Sequence, residues 1–460
     1  MGGMSGLNTA LSALYAARNG LETAGQNIAN VNTDGYHRQR TIQQSIGAAI
    51  TPAFYAKTGG IGQGVRVADV QRMSDQFLET RSLSEHASQS SLTQTQGVLA
   101  RIELAFAEPG DSGLQSQMSD FWSSWDDVAN HPDDLAARTQ LLEQAHTVIN
   151  SFSQASTQLA SLQQTSTDQI SAKVAEINDL GARIADLNHS IANATNAGMH
   201  PNDLIDQRDS MLSKLAGDIG VTTRPGPAGT VDVFIGNQAI VQGSISNAMR
   251  VDLSASPVVG LKWDINGASV SAKGGEVGGL VSTVNDIIPR FQAAVDGVAQ
   301  KMVATVNTQH ALGVDLLGGT GANLFDPAGT TAGTIALNPL VDADPRLVAA
   351  GQTGGGTLDG HNALLLAELA TSPTGPDLAY RQLIDGLGVE AQRANRQVDI
   401  QSAITAQVDG AKEGTSGVNL DEEMTNMVAY QHAYDAAARF MTSIDSLLDT
   451  VIHGTGLVGR

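Results

Sequence analysis

Leu7-Asn8-Thr9-Ala10-Leu11-Ser12-Ala13-Leu14 opens a stretch that closes with Ile28-Ala29-Asn30-Val31-Asn32-Thr33-Asp34-Gly35-Tyr36. Leu7, Leu11, Leu14, Leu21 and Ile28 fall on a three-and-four spacing, with Arg18 and Gly25 at the intervening positions. That period predicts a helix with one apolar seam. Ala10, Ala13, Ala17 and Ala24 fill in around the stripe and let a partner helix come close. The cluster around Asn30, Thr33, Gly35 and Tyr36 then ends the helix, because these residue types tolerate left-handed backbone or bond their own main chain.

The other end of the chain has the same character. Met427, Tyr430, Tyr434, Ala437, Met441, Ile444, Leu448 and Val451 make an unbroken seam at three- and four-residue steps. Asn419 is placed to cap this helix, with Glu422 three residues on in a capping-box relation. Asp421, Glu422 and Glu423 occupy the first turn, where the helix dipole favours negative charge, so capping explains these acids better than catalysis does. A lone amphipathic helix cannot hide its stripe, so the two ends should pair with each other or with neighbouring subunits. Until such partners gather, both ends are expected to stay largely unfolded. Charge agrees: residues 1–40 carry a surplus of one positive charge, and residues 415–453 a surplus of five negative.

Between these ends, Leu141, Ala145, Val148, Phe152, Ala155, Leu159 and Leu162 alternate steps of four and three. Ile170, Val174, Ile177, Leu180, Ile184, Leu187 and Ile191 continue the pattern after one stutter. The segment from about 135 to 196 therefore reads as a helical rod whose exposed positions are Ser, Thr, Gln and Asn. From Val221 the texture changes. Val231, Val233 and Ile235 alternate with Asp232 and Phe234, Gly236-Asn237 signals a turn, and Asn266-Gly267 is a strong hairpin turn. Gly274, Gly275, Gly278 and Gly279 close this part before helical periodicity returns at 281–306. The expected fold is mainly α with an inserted β domain. Residues 1–36 and 418–460 form terminal coiled-coil segments, and 37–220 with 280–310 and 361–417 form a helical rod. Residues 221–279 form a small β-rich outer domain, and the Gly-rich stretch 311–360 is unplaced.

Composition narrows the function. A chain of 460 residues holds roughly three domains. Its formal charge of −21 argues against a nucleic-acid binder, which needs a basic face. Without cysteine, thiol catalysis, disulfides and thiolate metal sites are impossible. Met1–Ala17 carries no charge, so the basic start of a secretory signal is missing, and no apolar run reaches the roughly 18 residues of a membrane span. Such a chain is expected to be cytoplasmic unless exported by a route that reads no cleavable peptide.

Catalytic motifs fail one by one. Gly110-Asp111-Ser112-Gly113 matches the tetrapeptide around a serine-protease nucleophile, but a turn and helix start account for it. Asp203, Asp206 and Asp209 could gather around a hard cation, yet Arg208 lies among them and no glycine-bearing calcium loop follows, so a solvated, salt-bridged face is the better reading. No two histidines stand three or four residues apart, and no lysine follows a glycine, which removes a zinc helix and a P-loop. Gly60, Gly62 and Gly64 run into Val65 and do not complete a dinucleotide pattern. The expectation is no enzyme, with no catalytic, cofactor or metal residues. A cell-wall hydrolase using Ser112 or the three aspartates is the alternative from another class.

Ser5-Gly6-Leu7 with Ala10–Leu14, then Ile28–Tyr36, resembles the N-terminal signature of the bacterial flagellar rod, hook and hook-associated proteins. His37-Arg38-Gln39, Gly60–Val65, Asn202–Asp209 and Ser416–Glu423 resemble the hook-associated protein 1 branch, which forms the hook–filament junction, as does Tyr430-Gln431-His432-Ala433-Tyr434. The resemblance implies a flagellin-like layered architecture and a secreted structural subunit, cytoplasmic before export through the flagellum's type III apparatus. It implies a ring of copies between hook protein and hook-associated protein 3, and an export chaperone on the C-terminal helix. The two helical seams would be the assembly interface. Another axial protein, such as a hook or rod subunit or hook-associated protein 3 itself, is the nearest alternative, and neither nucleic acid nor membrane insertion is expected.

Overall fold

The computed structural model describes residues 2–47, 62–108, 110 and 113–454. In chain order come α1 (Gly2–Ala29), β1 (Gln39–Ser45), β2 (Val65–Arg72), α2 (Gln76–Phe106), α3 (Leu114–Asn130), α4 (Leu135–Asn196) and α5 (Asn202–Ile219). Then follow β3 (Thr222–Pro225), β4 (Val231–Ile235), β5 (Gln238–Gln242), β6 (Ile245–Ser246), β7 (Met249–Ala255) and β8 (Val258–Trp263). The chain returns to helix in α6 (Gly275–Ser282), α7 (Ile288–His310), α8 (Pro339–Ala343), α9 (His361–Ala367), α10 (Pro376–Ser416) and α11 (Leu420–Gly454).

Helix α4 is the spine. Asp134 caps it by accepting the N–H of Ala136 at 2.8 Å. Its 62 residues extend about 93 Å at about 1.5 Å per residue. The predicted stripe is its buried face, but that face serves two separate apolar cores. Leu141 to Leu159 pack with α3, α7, the far half of α2 and the start of α10, around Phe121, Trp125 and Phe291. Ile170 to Ile184 pack with α5, α6 and the strands, around Leu215, Ile240 and Trp263.

The β part is two antiparallel sheets, one in the order β3-β4-β5-β6 and one pairing β7 with β8. Both predicted turns are present, with Gly236 and Gly267 at positive φ. Three local expectations are corrected. Residues 39–45 and 65–72, within the stretch read as helical rod, form an antiparallel hairpin instead. Gly275, Gly278 and Gly279 lie inside α6 rather than before it: a Cβ on Gly279 would stand 2.6 Å from the Ser91 carbonyl oxygen, so the glycines let α6 approach α2 closely. The 311–360 stretch, left unplaced, seals the first core with Leu324, Phe325, Ile335, Leu337 and Val348.

Asparagines fasten these strands and loops to the helices. In each case the side-chain amide acts as a one-residue strand, accepting the N–H and donating to the C=O of a single residue. Asn188 of α4 holds Val231 at 3.1 and 2.8 Å. Asn178 holds Met249 at 2.9 and 2.8 Å, and Asn285 holds Val259 at 2.8 and 2.9 Å. Asn307 of α7 holds Phe325 at 2.8 and 2.9 Å. The polar residues of α4 are therefore not all exposed, as the sequence suggested: Asn188 and Ser166 are fully buried. An amide satisfied on both sides can take a core position without the cost of an unpaired polar group.

Candidate functional site

Helices α1 and α11 pair with each other within one chain. The pairing is antiparallel with a heptad register. Gly6 meets Ile444, where a Cβ would stand 2.9 Å from Cδ1. Gly20 meets Tyr430, with a Cβ 2.6 Å from the ring. Asn27 donates to Glu423 at 3.1 Å. The same step sets Ala13 opposite Ala437.

On α11 the predicted seam faces α1 over most of its length. Ala437 and Ile444 are buried, and Met427, Tyr430, Met441 and Leu448 are half-buried, but Tyr434 and Val451 are exposed. On α1 the seam is rotated from the expected stripe. Ala10, Ala17, Gly20, Ala24 and Asn27 face inward, because small residues let the Tyr430 and Ile444 side chains come against the backbone. Leu7, Leu14, Leu21 and Ile28 are only half-buried, and Leu11 is 42% exposed. The leucine stripe lies about a quarter turn away. The β1–β2 hairpin lies along another side of α1, where the Val65 N–H donates to Ser12 at 3.2 Å.

The pair is fastened to the rod at its Asn27 end. Asn27 is buried and uses its whole amide: it accepts from the Tyr36 hydroxyl at 2.8 Å and the Gln39 N–H at 2.9 Å, and donates to the Gln39 carbonyl at 2.9 Å and to Glu423. Arg38 donates to Glu423 and to Glu422, both at 2.7 Å. Asn419 caps α11, accepting from the Asp421 N–H at 3.0 Å, but Glu422 turns to Arg38 rather than back toward Asn419 as a capping box requires. Within the turn, Thr33 donates to Asn30 at 3.2 Å, and Gly35 at φ +78° lets the chain pass against Ser210 of α5.

One residue further on, His37 is buried in a network of charges. Its Nε2 lies 2.8 Å from Glu79 of α2 and its Nδ1 2.9 Å from Asp206 of α5. Arg72, at the end of β2, donates to Asp206 and to Asp209, both at 2.6 Å, and Lys412 of α10 reaches Glu79 at 2.8 Å. Burial works against a charged imidazole and so does Arg72, but Asp206 and Glu79 outweigh both and hold the His37 pKa up at about 8. Glu79, likewise opposed by burial, is held down at about 2 by His37 and Lys412. The joint thus gathers the signature turn, the hairpin, α2, α5 and α10. Asp206 and Asp209 belong to it, salt-bridged as expected but with Asp206 buried rather than solvated, and Asp203 stays exposed. Sequence reasoning missed Asn27, Arg38, Arg72 and Glu423; polar residues in or beside an apolar helical stripe were the available signal.

No group of three His, Asp or Glu side chains placed to hold a metal occurs among the described residues. A cavity of about 790 Å³ between α2 and the β domain has Lys273 as its one charged lining residue, so it lacks an acid–base pair. Ser112 lies outside the described residues. Among the described residues, no helix is long and apolar enough to cross a membrane.

Comparison with known proteins gives consistent similarities. A family model described as the flagellar hook-associated protein FlgK helical domain matches residues 99–325. Models described as the flagella basal body rod protein and the flagellar basal body rod FlgEFG protein C-terminal match residues 7–37 and 414–453. Flagellar hook-associated protein 1 of Bacillus subtilis (strain 168) is 30% identical over 99% of both chains. The protein of that name in Escherichia coli (strain K12) is 25% identical, covering 97% of this chain and 99% of the relative. The solved flagellar hook junction protein FlgK from Burkholderia pseudomallei shares the fold with a TM-score of 0.63 at 18% identity, covering 73% of this chain and 99% of its own.

Proposed function

This chain belongs to the flagellar hook-associated protein 1 family, and from that premise we propose that it forms the junction between hook and filament as a ring of identical copies. It is a structural component of the flagellum, and the partly exposed leucine face of the α1–α11 pair is the surface on which neighbouring copies close. The observation that carries this reading is the rotated seam. The pair buries Ala10, Ala17, Gly20 and Ala24 internally and leaves Leu11 exposed and Leu7, Leu14 and Leu21 half-buried, with Tyr434 exposed on α11. Such an apolar strip on a long helical pair is a standing cost until another surface covers it.

Hook protein and hook-associated protein 3 are the expected neighbours along the axis. The exposed Met424, Val428, Phe440, Leu447 and Val451 of α11 suit an export chaperone that holds the C-terminal helix before type III secretion. Leu11→Asp with Leu14→Asp tests the reading. The monomer should keep its helix content and thermal midpoint, while incorporation into flagella and swimming are lost. Normal swimming by that variant would refute the assignment of the leucine face. Labelling of the native protein in intact flagella, seen at the hook–filament boundary or elsewhere, tests the position separately.

A further inference from the structure

Two of the helices that link the two apolar cores, α2 and α4, pass from one to the other largely through polar residues. Between Leu83 of the second core and Val98 of the first, α2 presents Ser91, Gln94 and Thr95. Between Leu162, at the edge of the first core, and Ile170, α4 presents Gln163, Ser166 and Gln169. The third crossing, from Val284 to Ile287, is wound as a wide π turn over Thr283–Ile287 between α6 and α7. Helix α10 meets α2 there through amides and carboxylates, Gln96 to Asn395 at 2.8 Å and Gln401 to Glu85 at 2.7 Å.

The bonding in this band is thin. Ser166 is fully buried, and its hydroxyl has no hydrogen-bond partner; neither has the buried Oε1 of Gln169 one turn on. Gln163 reaches the Val284 carbonyl at 3.3 Å, and Gln292 reaches Gln163 at 3.5 Å, both at the long limit for such bonds. Ser166 stands where the α4 stripe calls for an apolar residue, so the contact between the cores is interrupted at the spine itself. A π turn, missing apolar contacts and unpaired polar groups all lower the free energy of local opening.

We infer that this band is a bending waist, and that the rod is two bodies that pivot about residues 163–169 and 283–287. One body is built on the first core. The other carries the second core, the β domain and, through the His37 joint, the terminal helices. In the proposed ring, the waist would let the body built on the first core settle against its neighbours while the terminal pair stays docked; that use rests on the functional reading, whereas the waist itself does not.

Hydrogen exchange on the full chain tests it. Amides at 163–169 and 283–287 should exchange on the order of tenfold faster, or more, than those at 145–159 and 174–184. The chain has no cysteine, so Gln154→Cys with Asp186→Cys places two unique spin labels on α4 across the waist. Their distance distribution should be broader than that of a Gln140→Cys, Gln154→Cys pair within one body. Adding Ser166→Ala and Gln169→Leu should slow exchange at the waist and narrow the distribution; if that variant fails to fold, the native exchange profile and the two label pairs decide alone. Uniform protection along α4, with equally narrow distributions for the two pairs, would overturn the waist whether or not the protein is found at the junction.

Discussion

Gly20 of α1 lies against the ring of Tyr430 of α11 so closely that a single added carbon would stand 2.6 Å from the ring. A methyl there gains about 1 kcal/mol of helix propensity but overpacks the seam by roughly 1–3 kcal/mol. Gly20→Ala should therefore loosen the pair, read as faster amide exchange in α1 and α11 with α3 and α4 unchanged. Gly25, where a Cβ would meet nothing within 4 Å, is the control, and Gly25→Ala should tighten α1 instead. Like behaviour of the two variants would count against the register described above.

Asn27 ties α1, the signature turn, β1 and α11 together through one side chain. Asn27→Ala leaves the buried Glu423 and the backbone of Gln39 short of partners, at a cost of roughly 2–3 kcal/mol. The loss should appear as protease cleavage near residues 37–40 and as early melting of the terminal pair, with the rod intact. Asn27→Asp should be worse, since it sets a second carboxylate against Glu423.

His37 gives the joint a dependence on alkaline pH. Its folded pKa, about 8, lies above the ordinary imidazole value of about 6.5. The native state therefore holds the proton more tightly, and the stabilisation is complete below about pH 6.5 and lost as pH rises through 8. The loss amounts to about 2 kcal/mol. Exchange at the 36–39 turn should accelerate over that interval, and His37→Gln should remove the pH step. A step that persists in His37→Gln would assign it to another group.

His310 works in the opposite sense. It is buried beside Trp125, accepts the Ala349 N–H at 2.9 Å through Nε2, and donates from Nδ1 to the Ala322 carbonyl. Burial, with Arg138 adding to it, depresses its pKa to about 4. The neutral ring is then favoured by folding, and that stability is present above about pH 6.5 and lost as pH falls toward 4, to a total of about 3 kcal/mol. The melting temperature of the rod should fall across that interval in the His-containing protein and stay flat in a His310→Gln variant. Parallel curves would show that His310 does not titrate this way.

Much of this architecture is legible in the chain. The α4 stripe, the Gly236 and Gly267 turns, the Asn419 cap and the C-terminal seam depend on spacing and on local backbone preference, which act within a few residues. The joint is not legible in the same way. Arg72 reaches Asp206 and Asp209 because a hairpin brings it across more than a hundred residues of sequence, and no local pattern marks that encounter. The asparagine clamps are hidden for a related reason: in a helix, a buried Asn paired to a distant strand reads as one more surface amide.

By itself, the sequence determined that both ends are one-sided helices, that a helical spine runs between them and that a small β segment interrupts it, because periodicity is written directly in residue order. Tertiary structure alone decided which side of α1 turns inward. The leucines make the stronger apolar stripe, yet the alanine and glycine side wins, because burial there depends on how closely Tyr430 and Ile444 can approach the backbone, and that is a property of two surfaces meeting rather than of either helix alone.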